Sequence, residues 1–456
     1  LGAGTYLSDG KAGMGSYKSP TTRLIAFFGR VNYSFDDRYL VTLNLRYEGS
    51  SKFYSDRWGL FPGISAGWRI SSEKFMRNVR AVDDLKLRVS YGTTGNQGFN
   101  TNTAYRMYSK DSWTYYNGQW MTVYGLMHNQ NRDMKWEIKK EFDVGLDFSL
   151  FNRRLSGRMD YFSRKIEDAI YSGIPVASPP AVYATSTVNI GDITNKGFEF
   201  ELNGRVVDTK DWTFDTSLVG SFVGKSRLEG MAKDTHMEFQ AMPHGGGSAV
   251  RIFGGQEIGR YFLYRFAGVR EEDGTPMIYS KDNKVIPYAS GTDEDRVQTG
   301  NGLPKAVLSW NNTVRYRNWD LNLFFRSWLG QDVYNVTDMI QGVNCKITEG
   351  QNLLRTAYRR NKAITNTDRL MLLDYWLEKG DFLKLDAVTL GYTLPRNKIK
   401  YVEKLRCYFT VRNVCTLTGY SGLDPEVNVN GLAPGFEGMS QYPRTRSFIL
   451  GIEIGF

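Results

Sequence analysis

The sequence predicts an all-β fold, an antiparallel transmembrane β-barrel. Three observations lead to this prediction. Apolar and polar residues alternate along many segments, these segments are long, and short connections alternate with long ones. The composition agrees, because 14% of the 456 residues are aromatic and 47 residues are glycine. Aromatic girdles and frequent turns would produce both excesses.

The alternation has a period of two residues, which is the side-chain period of a β-strand. In 39–47, Val41 and Leu43 share one face, and Thr42 and Asn44 share the other. About 13 segments show this pattern: 22–35, 39–47, 58–71, 84–94, 141–150, 153–166, 197–208, 211–223, 306–318, 319–330, 381–394, 404–414 and 447–456.

The length of the segments favours a membrane barrel over a soluble β-sandwich. Many of them reach about 10 residues or more, which a tilted strand needs to cross a bilayer. Strands of soluble proteins are usually about 5–6 residues long. No apolar stretch reaches the roughly 18 residues of a transmembrane helix, so the sequence predicts none.

The connections between the segments are short and long in turn. The tight ones are Asp36-Asp37-Arg38, Phe151-Asn152-Arg153, Asp208-Thr209-Lys210-Asp211 and Asn318-Trp319, and the long ones are 95–135, 167–196, 224–305, 331–380 and 415–445. With the C-terminus in the periplasm, every tight turn is periplasmic and every long loop is extracellular. This assignment requires that 260–270 belongs to an outer loop and is not a spanning strand.

The polar face of the segments carries many charges. In a membrane barrel this face lines the lumen, whereas in a soluble barrel it faces water, and alternation alone does not distinguish the two. The charges are Arg46, Glu48, Arg69, Arg88, Asp143, Asp147, Arg158, Asp160, Glu199, Glu201, Arg412 and Glu453.

The chain is basic, but its charge pattern does not favour nucleic-acid binding. The net charge is +10, which could attract nucleic acid, an anionic substrate or an anionic membrane surface. The basic residues are scattered, however, and the only adjacent arginine pairs are Arg153-Arg154 and Arg359-Arg360. We therefore interpret the charge as a solvated basic surface and predict no nucleic-acid partner.

Cysteine and histidine are too few for a disulfide framework or a metal site. Three cysteines at irregular spacing do not make a disulfide scaffold, and three histidines without paired spacing do not make a zinc site. The sequence therefore predicts no metal and no cofactor. These residues are Cys345, Cys407, Cys415, His128, His236 and His244.

Two motifs resemble parts of a hydrolase. Gly63-Ile64-Ser65-Ala66-Gly67 fits a nucleophile elbow, and His244-Gly245-Gly246-Gly247-Ser248 fits an oxyanion loop. An elbow requires a turn from a strand into a helix, but this one lies within an alternating segment. The oxyanion loop should also precede the elbow, and here it follows. We predict no catalytic residue and no enzyme activity.

The candidate substrate-binding residues are an aromatic set and two wall charges. Segment 105–124 is polar but rich in aromatic rings, which suit sugar rings, peptide side chains or a protein partner. Packing within the loop is the equally weighted alternative. The wall contributes charges that face the lumen. The candidates are Trp113, Tyr115, Tyr116, Trp120, Arg88 and Asp143.

Several segments together resemble the SusC/RagA family of TonB-dependent transporters. The terminal residue Phe456 also resembles the signal that outer-membrane proteins present to the barrel-assembly machinery. The matching segments span nearly the whole chain in order: 90–97 (SYGTTGNQ), 189–199 (NIGDITNKGFE), 380–385 (GDFLKL), 390–395 (LGYTLP), 412–414 (RNV), 420–426 (YSGLDPE) and 442–446 (YPRTR).

The resemblance implies an importer of glycans or peptides in the outer membrane of a Gram-negative bacterium. It implies a SusD-like surface lipoprotein as a lid, a plug domain in the lumen and a TonB box that couples opening to the proton-motive force. Outer-membrane lipid and lipopolysaccharide would surround the barrel. The substrate-facing rim would come from loops 95–135, 224–305 and 331–380.

The family's plug, TonB box and signal peptide are N-terminal, and none is recognisable in residues 1–456. We therefore expect one domain that is the C-terminal portion of a longer transporter. A plugged transporter has about 22 strands, so about nine would come from an N-terminal partner portion. The alternatives are an open porin, a siderophore-type TonB-dependent receptor and a soluble all-β carbohydrate-binding protein.

Overall fold

Regular structure in the computed structural model is almost entirely β. The structure describes residues 3–7, 14–18, 21–231, 236–242, 247–343, 352–364, 371–395, 401–438 and 442–455. Within these ranges, the α-helix is Val336–Gln341, and short 3₁₀ turns lie in the connections. No helix in these ranges is both long enough and apolar enough to cross a membrane.

The main sheet contains fourteen strands among the described residues, one of which, the short Arg227–Glu229, pairs off the main path with 192–194. The other thirteen form the main path, each antiparallel to the next. Each overlaps one of the segments predicted from the alternation. In chain order they are β1 (Leu24–Phe35), β2 (Tyr39–Ser50), β3 (Trp58–Arg69), β4 (Val82–Asn96), β5 (Glu137–Leu150), β6 (Leu155–Glu167), β7 (Asp192–Asp208), β8 (Trp212–Val223), β9 (Ala306–Tyr316), β10 (Trp319–Leu329), β11 (Phe382–Thr393), β12 (Lys404–Thr418) and β13 (Ser447–Gly455).

The four tightest connections lie at one end of this sheet and the five longest at the other, and we call these the turn end and the loop end. This follows from the antiparallel order, because alternate connections lie on the same side. The turn-end connections are 36–38, 70–81, 151–154, 209–211, 317–318 and 394–403, and the loop-end connections are 51–57, 97–136, 168–191, 224–305, 330–381 and 419–446. The predicted alternation is therefore confirmed.

Three boundary predictions were wrong by four or five residues, one of them because β12 ends at Thr418 and not at 414. The predicted loop 167–196 ends earlier, because β7 begins at Asp192. Thr194 and Asn195 have the composition of a turn, yet their backbones pair with Lys165 and Arg164 of β6. Strand β5 likewise begins at Glu137 and not at 141. Pairing on both sides overrides the local turn propensity of these residues.

Segment 260–270 does not join the main sheet, as predicted. Its strand Tyr261–Val269 pairs inside a separate six-stranded sheet built by the connection between β8 and β9. The other strands of that sheet are His236–Ala241, Ser248–Phe253, Pro276–Tyr279, Val285–Pro287 and Arg296–Thr299.

The apolar phase of the alternation is exposed over the whole main sheet. Ile64 in β3 is 49% exposed, Phe142 in β5 is 41%, and Tyr161 in β6 is 45%, although all three lie within paired strands. An apolar surface on this scale far exceeds the few hundred Å² usual on a soluble monomer. The arrangement is that of a membrane barrel, in which the apolar face contacts lipid.

Aromatic rings mark both ends of this apolar face. At the turn end, the ring centroids of Trp212 and Tyr316 are 4.4 Å apart, and Trp319 and Tyr392 also pair. Toward the loop end, Phe222 stacks with a neighbouring phenylalanine. Ten residues separate Trp212 from Phe222, about 33 Å of strand. At a tilt of about 40°, the height between them is about 25 Å, which matches the apolar band of an outer-membrane barrel.

The long connections fold into a body with its own hydrophobic core. Tyr261, Tyr334 and Trp376 are completely buried in it. The hydroxyl of Tyr261 donates to the backbone oxygens of Asp332 (2.9 Å) and Gly435 (2.8 Å), so three different connections meet at this side chain. The sequence predicted loops here, and the structure shows a compact layer at the loop end of the sheet.

Replacement of Val89 by arginine tests the orientation of the sheet. Val89 lies mid-strand in β4, between Ala66 and Val144 on the neighbouring strands. An arginine that faces lipid near the bilayer midplane destabilises a barrel by about 2–4 kcal/mol. Val89→Arg should therefore reduce the folded fraction of the full-length receptor, measured by heat-modifiable gel mobility. Val89→Leu, the control, should fold normally, and normal folding of Val89→Arg would contradict a lipid-facing position.

Candidate functional site

Arg88, one of the two predicted wall charges, is held by two carboxylates on neighbouring strands. Its guanidinium donates to Asp147 through Nε and Nη2, both at 2.8 Å, and Nη2 also lies 2.8 Å from Asp160. Gly145 lies beneath this group, and a Cβ there would come within 2.6 Å of the guanidinium. Arg88 therefore ties β4, β5 and β6 together across the polar face of the sheet.

Asp143, the other predicted wall charge, lies on the same face but is not part of this group. It is opposite Ser90 on β4 and Phe162 on β6. Within the described part of the chain, no basic side chain forms an ion pair with Asp143. The two predicted charges therefore differ, because Arg88 is neutralised by its neighbours while the carboxylate of Asp143 faces the interior unpaired.

The aromatic segment is a projecting β-hairpin and not an irregular loop. Its strands are Tyr108–Tyr116 and Gln119–Leu126. Asn117 and Gly118 form the turn, with φ of 48° and 78°. Positive φ at both central residues is the mark of a type I′ hairpin turn, for which Asn-Gly is the preferred pair. This dipeptide was the sequence signal that could have identified the hairpin.

The hairpin brings three of the four predicted aromatic residues onto one face. Trp113, Tyr115 and Trp120 share it according to the register, and the rings of Tyr115 and Trp120 meet edge-to-face at 5.4 Å. Tyr116 lies on the opposite face. Exposure of the four side chains ranges from 50% to 70%, which argues against the alternative that they pack inside the loop. We call Trp113, Tyr115 and Trp120 the aromatic face.

A buried ion cluster at the loop end was not predicted. Lys384 is 1% exposed, and its ammonium lies 3.0 Å from Glu426 and 3.5 Å from Asp424. Arg326 contacts Glu426 at 2.8 Å, and Arg444 contacts the same two carboxylates at 2.8 and 2.9 Å. With Asp386, which pairs with Arg326, three positive charges balance three negative ones. The cluster fastens connection 419–446 to strands β10 and β11.

The pKa of Glu426 shows which force dominates in this cluster. Burial alone would raise the pKa, but hydrogen bonds and charges from Arg326 and Lys384 lower it below the ordinary value of 4.5. A lowered folded-state pKa means that the stabilisation is fully present above the unfolded value. It is lost only as the pH falls below 4.5 through the folded value, so the clamp is intact at neutral pH.

Connection 419–446 makes further polar contacts with connection 330–381. The carboxylate of Glu378 accepts from the backbone nitrogen (2.8 Å) and the hydroxyl (2.7 Å) of Ser421. Arg360 pairs with Glu378 at 3.1 Å. The hydroxyl of Tyr420 donates to Glu437 at 2.9 Å. These bonds make the loop end a rigid platform.

Connections 97–136 and 168–191 are joined by asparagine side chains. Asn189 donates to the backbone oxygen of Lys135 at 3.0 Å and accepts from its backbone nitrogen at 2.9 Å. Asn129 donates to the backbone oxygens of Tyr183 and Thr185 and accepts from two backbone nitrogens of the same segment. The hairpin with the aromatic face therefore rises from a base that is tied to its neighbour.

The hydrolase-like motif lies in a context that does not fit an elbow. Ser65 is in the middle of β3, paired with Thr42 and Ser90, and no helix follows it directly. His244, Cys345 and the predicted assembly signal Phe456 lie outside the described residues. Cys407 and Cys415 are both on β12, which extends beyond the predicted end at 414, and both are free. Among the described residues, no group of three or more His, Cys, Asp or Glu could hold a metal ion.

Comparisons with known proteins agree with this architecture. Residues 3–414 match the family model described as TonB dependent receptor-like, beta-barrel. The chain is 29% identical over 475 residues to TonB-dependent receptor SusC of Bacteroides thetaiotaomicron, covering 95% of this chain and 44% of that protein. It is 28% identical over 470 residues to TonB-dependent receptor P3 of Formosa agariphila, covering 95% and 46%.

A solved structure of the RagAB peptide transporter has the same fold. It superposes with a TM-score of 0.79 at 22% identity, covering 99% of this chain and 50% of that one. The chain belongs to the TonB dependent receptor-like β-barrel family. Its relatives confirm the SusC/RagA type that the motifs predicted. It spans about half the length of the curated relatives it matches.

Removal of the buried ammonium should release connection 419–446. Lys384→Met leaves the cluster with an excess negative charge, and breaking a buried ion pair typically costs about 3–5 kcal/mol. We expect faster hydrogen exchange and protease cleavage in 419–438 of the full-length receptor. Lys404→Met is the matched control, since its 2.6 Å pair with Glu453 is about half exposed and such pairs contribute little. Equal exchange in the two variants would contradict a clamp.

Proposed function

We propose that this chain is the C-terminal wall and outer rim of a SusC-like TonB-dependent receptor, which imports oligomeric nutrients across the outer membrane of a Gram-negative bacterium. The observation that carries the proposal is a sheet with an exposed apolar face and a folded, polar layer at one end only. An outer-membrane importer has a wall that faces lipid and long loops that form a rim at its extracellular end.

We propose that the remaining parts of the transporter lie in a portion of the protein outside this chain. We propose that this portion supplies the plug, the TonB box and the strands that pair with the free edges of β1 and β13. Lipid does not tolerate unpaired strand edges, which supports this division of the barrel. A SusD-like surface lipoprotein would cover the rim, and outer-membrane lipid and lipopolysaccharide would surround the wall.

Transport in this proposal needs no covalent chemistry. Substrate would be held between the lipoprotein lid, the aromatic face and the polar interior that includes Asp143. TonB pulling on the plug would then open a path along the inner wall. Arg88 is engaged by Asp147 and Asp160, so we assign it a supporting role in the wall and not a direct contact with substrate.

The alternatives differ in the size of cargo and in partners. A siderophore-type receptor would import a small iron chelate without a lipoprotein lid, and a porin would need neither TonB nor a plug. A soluble carbohydrate-binding protein is not supported, because the apolar face of the sheet would be left in water.

The experiment that tests the proposal is an uptake assay in the organism that encodes the chain. Deletion of the full-length gene should abolish growth on, and uptake of, one class of oligomer, either glycan or peptide. A receptor without its TonB box should fail in the same way, and the purified complex should contain a surface lipoprotein. Normal oligomer uptake without the gene, combined with loss of iron-chelate uptake, would replace the proposal with the siderophore alternative.

The aromatic face provides a second prediction with a built-in control. Combined replacement of Trp113, Tyr115 and Trp120 by alanine should weaken substrate binding by at least about 10-fold, because exposed aromatic residues dominate binding energy. Tyr116→Ala changes the opposite face of the same hairpin and should have little effect. Affinity would be measured by calorimetry on the full-length complex. Equal losses in both variants would place the substrate elsewhere.

A further inference from the structure

A polar cavity lies beside the base of the aromatic hairpin, between connections 97–136 and 168–191. Its volume is about 360 Å³, within the roughly 300–1,000 Å³ of small-molecule sites. Eleven residues line it, and eight of them carry a side-chain amide or hydroxyl. The lining residues are Asn100, Asn102, Thr103, Met127, His128, Asn129, Ser172, Gly173, Thr185, Ser186 and Thr187.

None of the lining residues is an acid, a lysine or an arginine. The one histidine, His128, has its Nε2 3.0 Å from the backbone oxygen of Asn102 and 3.2 Å from that of Tyr105. Contact with two acceptors places a proton on Nε2. The cavity therefore offers hydrogen bonds and carries no carboxylate, ammonium or guanidinium group, in a chain in which 23% of residues are charged.

Some side chains of the lining are held by hydrogen bonds within the protein, and others are available to bind a ligand. Asn129 makes four hydrogen bonds across the two connections, which sets the shape of the cavity. Thr187 donates to Ser172 at 3.0 Å. In contrast, the side chains of Asn102 and Ser186 make no hydrogen bond to any described residue. An amide that can donate and accept and a hydroxyl are thus open to a ligand.

We propose that this cavity binds a neutral oligosaccharide segment and that the cargo of the receptor is therefore a neutral glycan. Sugar hydroxyls both donate and accept hydrogen bonds, as do the open amide and hydroxyl groups. A peptide would bring charged termini or side chains, whose desolvation nothing in this lining compensates. The inference rests on the proposed import function and adds the class of substrate.

The position of the cavity relative to the aromatic face supports this assignment. The strand Gln119–Leu126, which carries Trp120, runs directly into Met127 and His128 of the lining. The aromatic face, near the turn of the hairpin, and the cavity, at its base, are therefore parts of one projecting element. Gly173 in the lining has φ of 81°, and a Cβ there would meet no atom within 4 Å, so the backbone is open to close approach by a ligand.

Direct binding to the purified full-length receptor tests the inference. Calorimetric titration would use neutral gluco-, xylo-, manno- and fructo-oligosaccharides, uronic-acid oligosaccharides, and peptides of glycine, serine and asparagine. We expect at least one neutral sugar to bind, with charged sugars and peptides at least 10-fold weaker. Asn102→Leu, which removes an amide of similar size, should weaken that binding by about 10-fold, and Ser186→Ala should weaken it by a smaller factor.

Asn318→Leu is the matched control, because Asn318 lies at the turn end of the sheet. It should leave affinity unchanged, and normal heat-modifiable mobility of all variants would verify folding. Peptides as the preferred ligand, or neutral sugars whose affinity ignores both cavity variants, would overturn the inference. Either result would leave the proposed import function standing. That function is tested separately, by whether the deletion strain loses oligomer uptake.

Discussion

The inverted polarity of the main sheet is the constraint on which the other features depend. Its apolar side chains face outward, so its charged side chains must be satisfied within the interior face. Many of them form ion pairs across the interior face: Arg88 pairs with Asp147 on the adjacent strand, and Arg406 reaches across β11 to Asp320 on β10. A charged side chain on the outer face would destabilise the barrel, because it would lie in lipid. The alternation that separates the two faces must therefore continue through every strand.

Four of the motifs that carry the family resemblance have structural roles at the loop end. Asp424 and Glu426 of one motif close the ion cluster with Lys384 of another and Arg444 of a third. Asn189 ties together two connections. These motifs therefore help to hold the long connections in place.

The strands could be predicted from the sequence because their signal is local. A period of two over ten or more residues needs no knowledge of the rest of the chain, and it located β5 and β13 within a few residues. The direction of the apolar face needed structure, since alternation is the same for lipid-facing and core-facing sheets. The folded layer of connections could also be recognised only from the structure. Tyr261 meets Gly435, and Arg326 meets Glu426, across separations that no local pattern encodes. The division of the four candidate aromatic residues between two hairpin faces could not be predicted either, because it depends on the register.

The most direct test of the central claim is the solvent seen by successive residues of one strand. Nitroxide labels would be placed one at a time from Leu321 to Phe325 of β10, in the full-length receptor in outer-membrane vesicles. We expect labels at 321, 323 and 325 to be readily accessible to oxygen and poorly accessible to a polar nickel complex. Labels at Asn322 and Phe324 should show the reverse. A polar reagent that reaches Leu321 and Leu323 as readily as Asn322 would show that the apolar face is not in lipid.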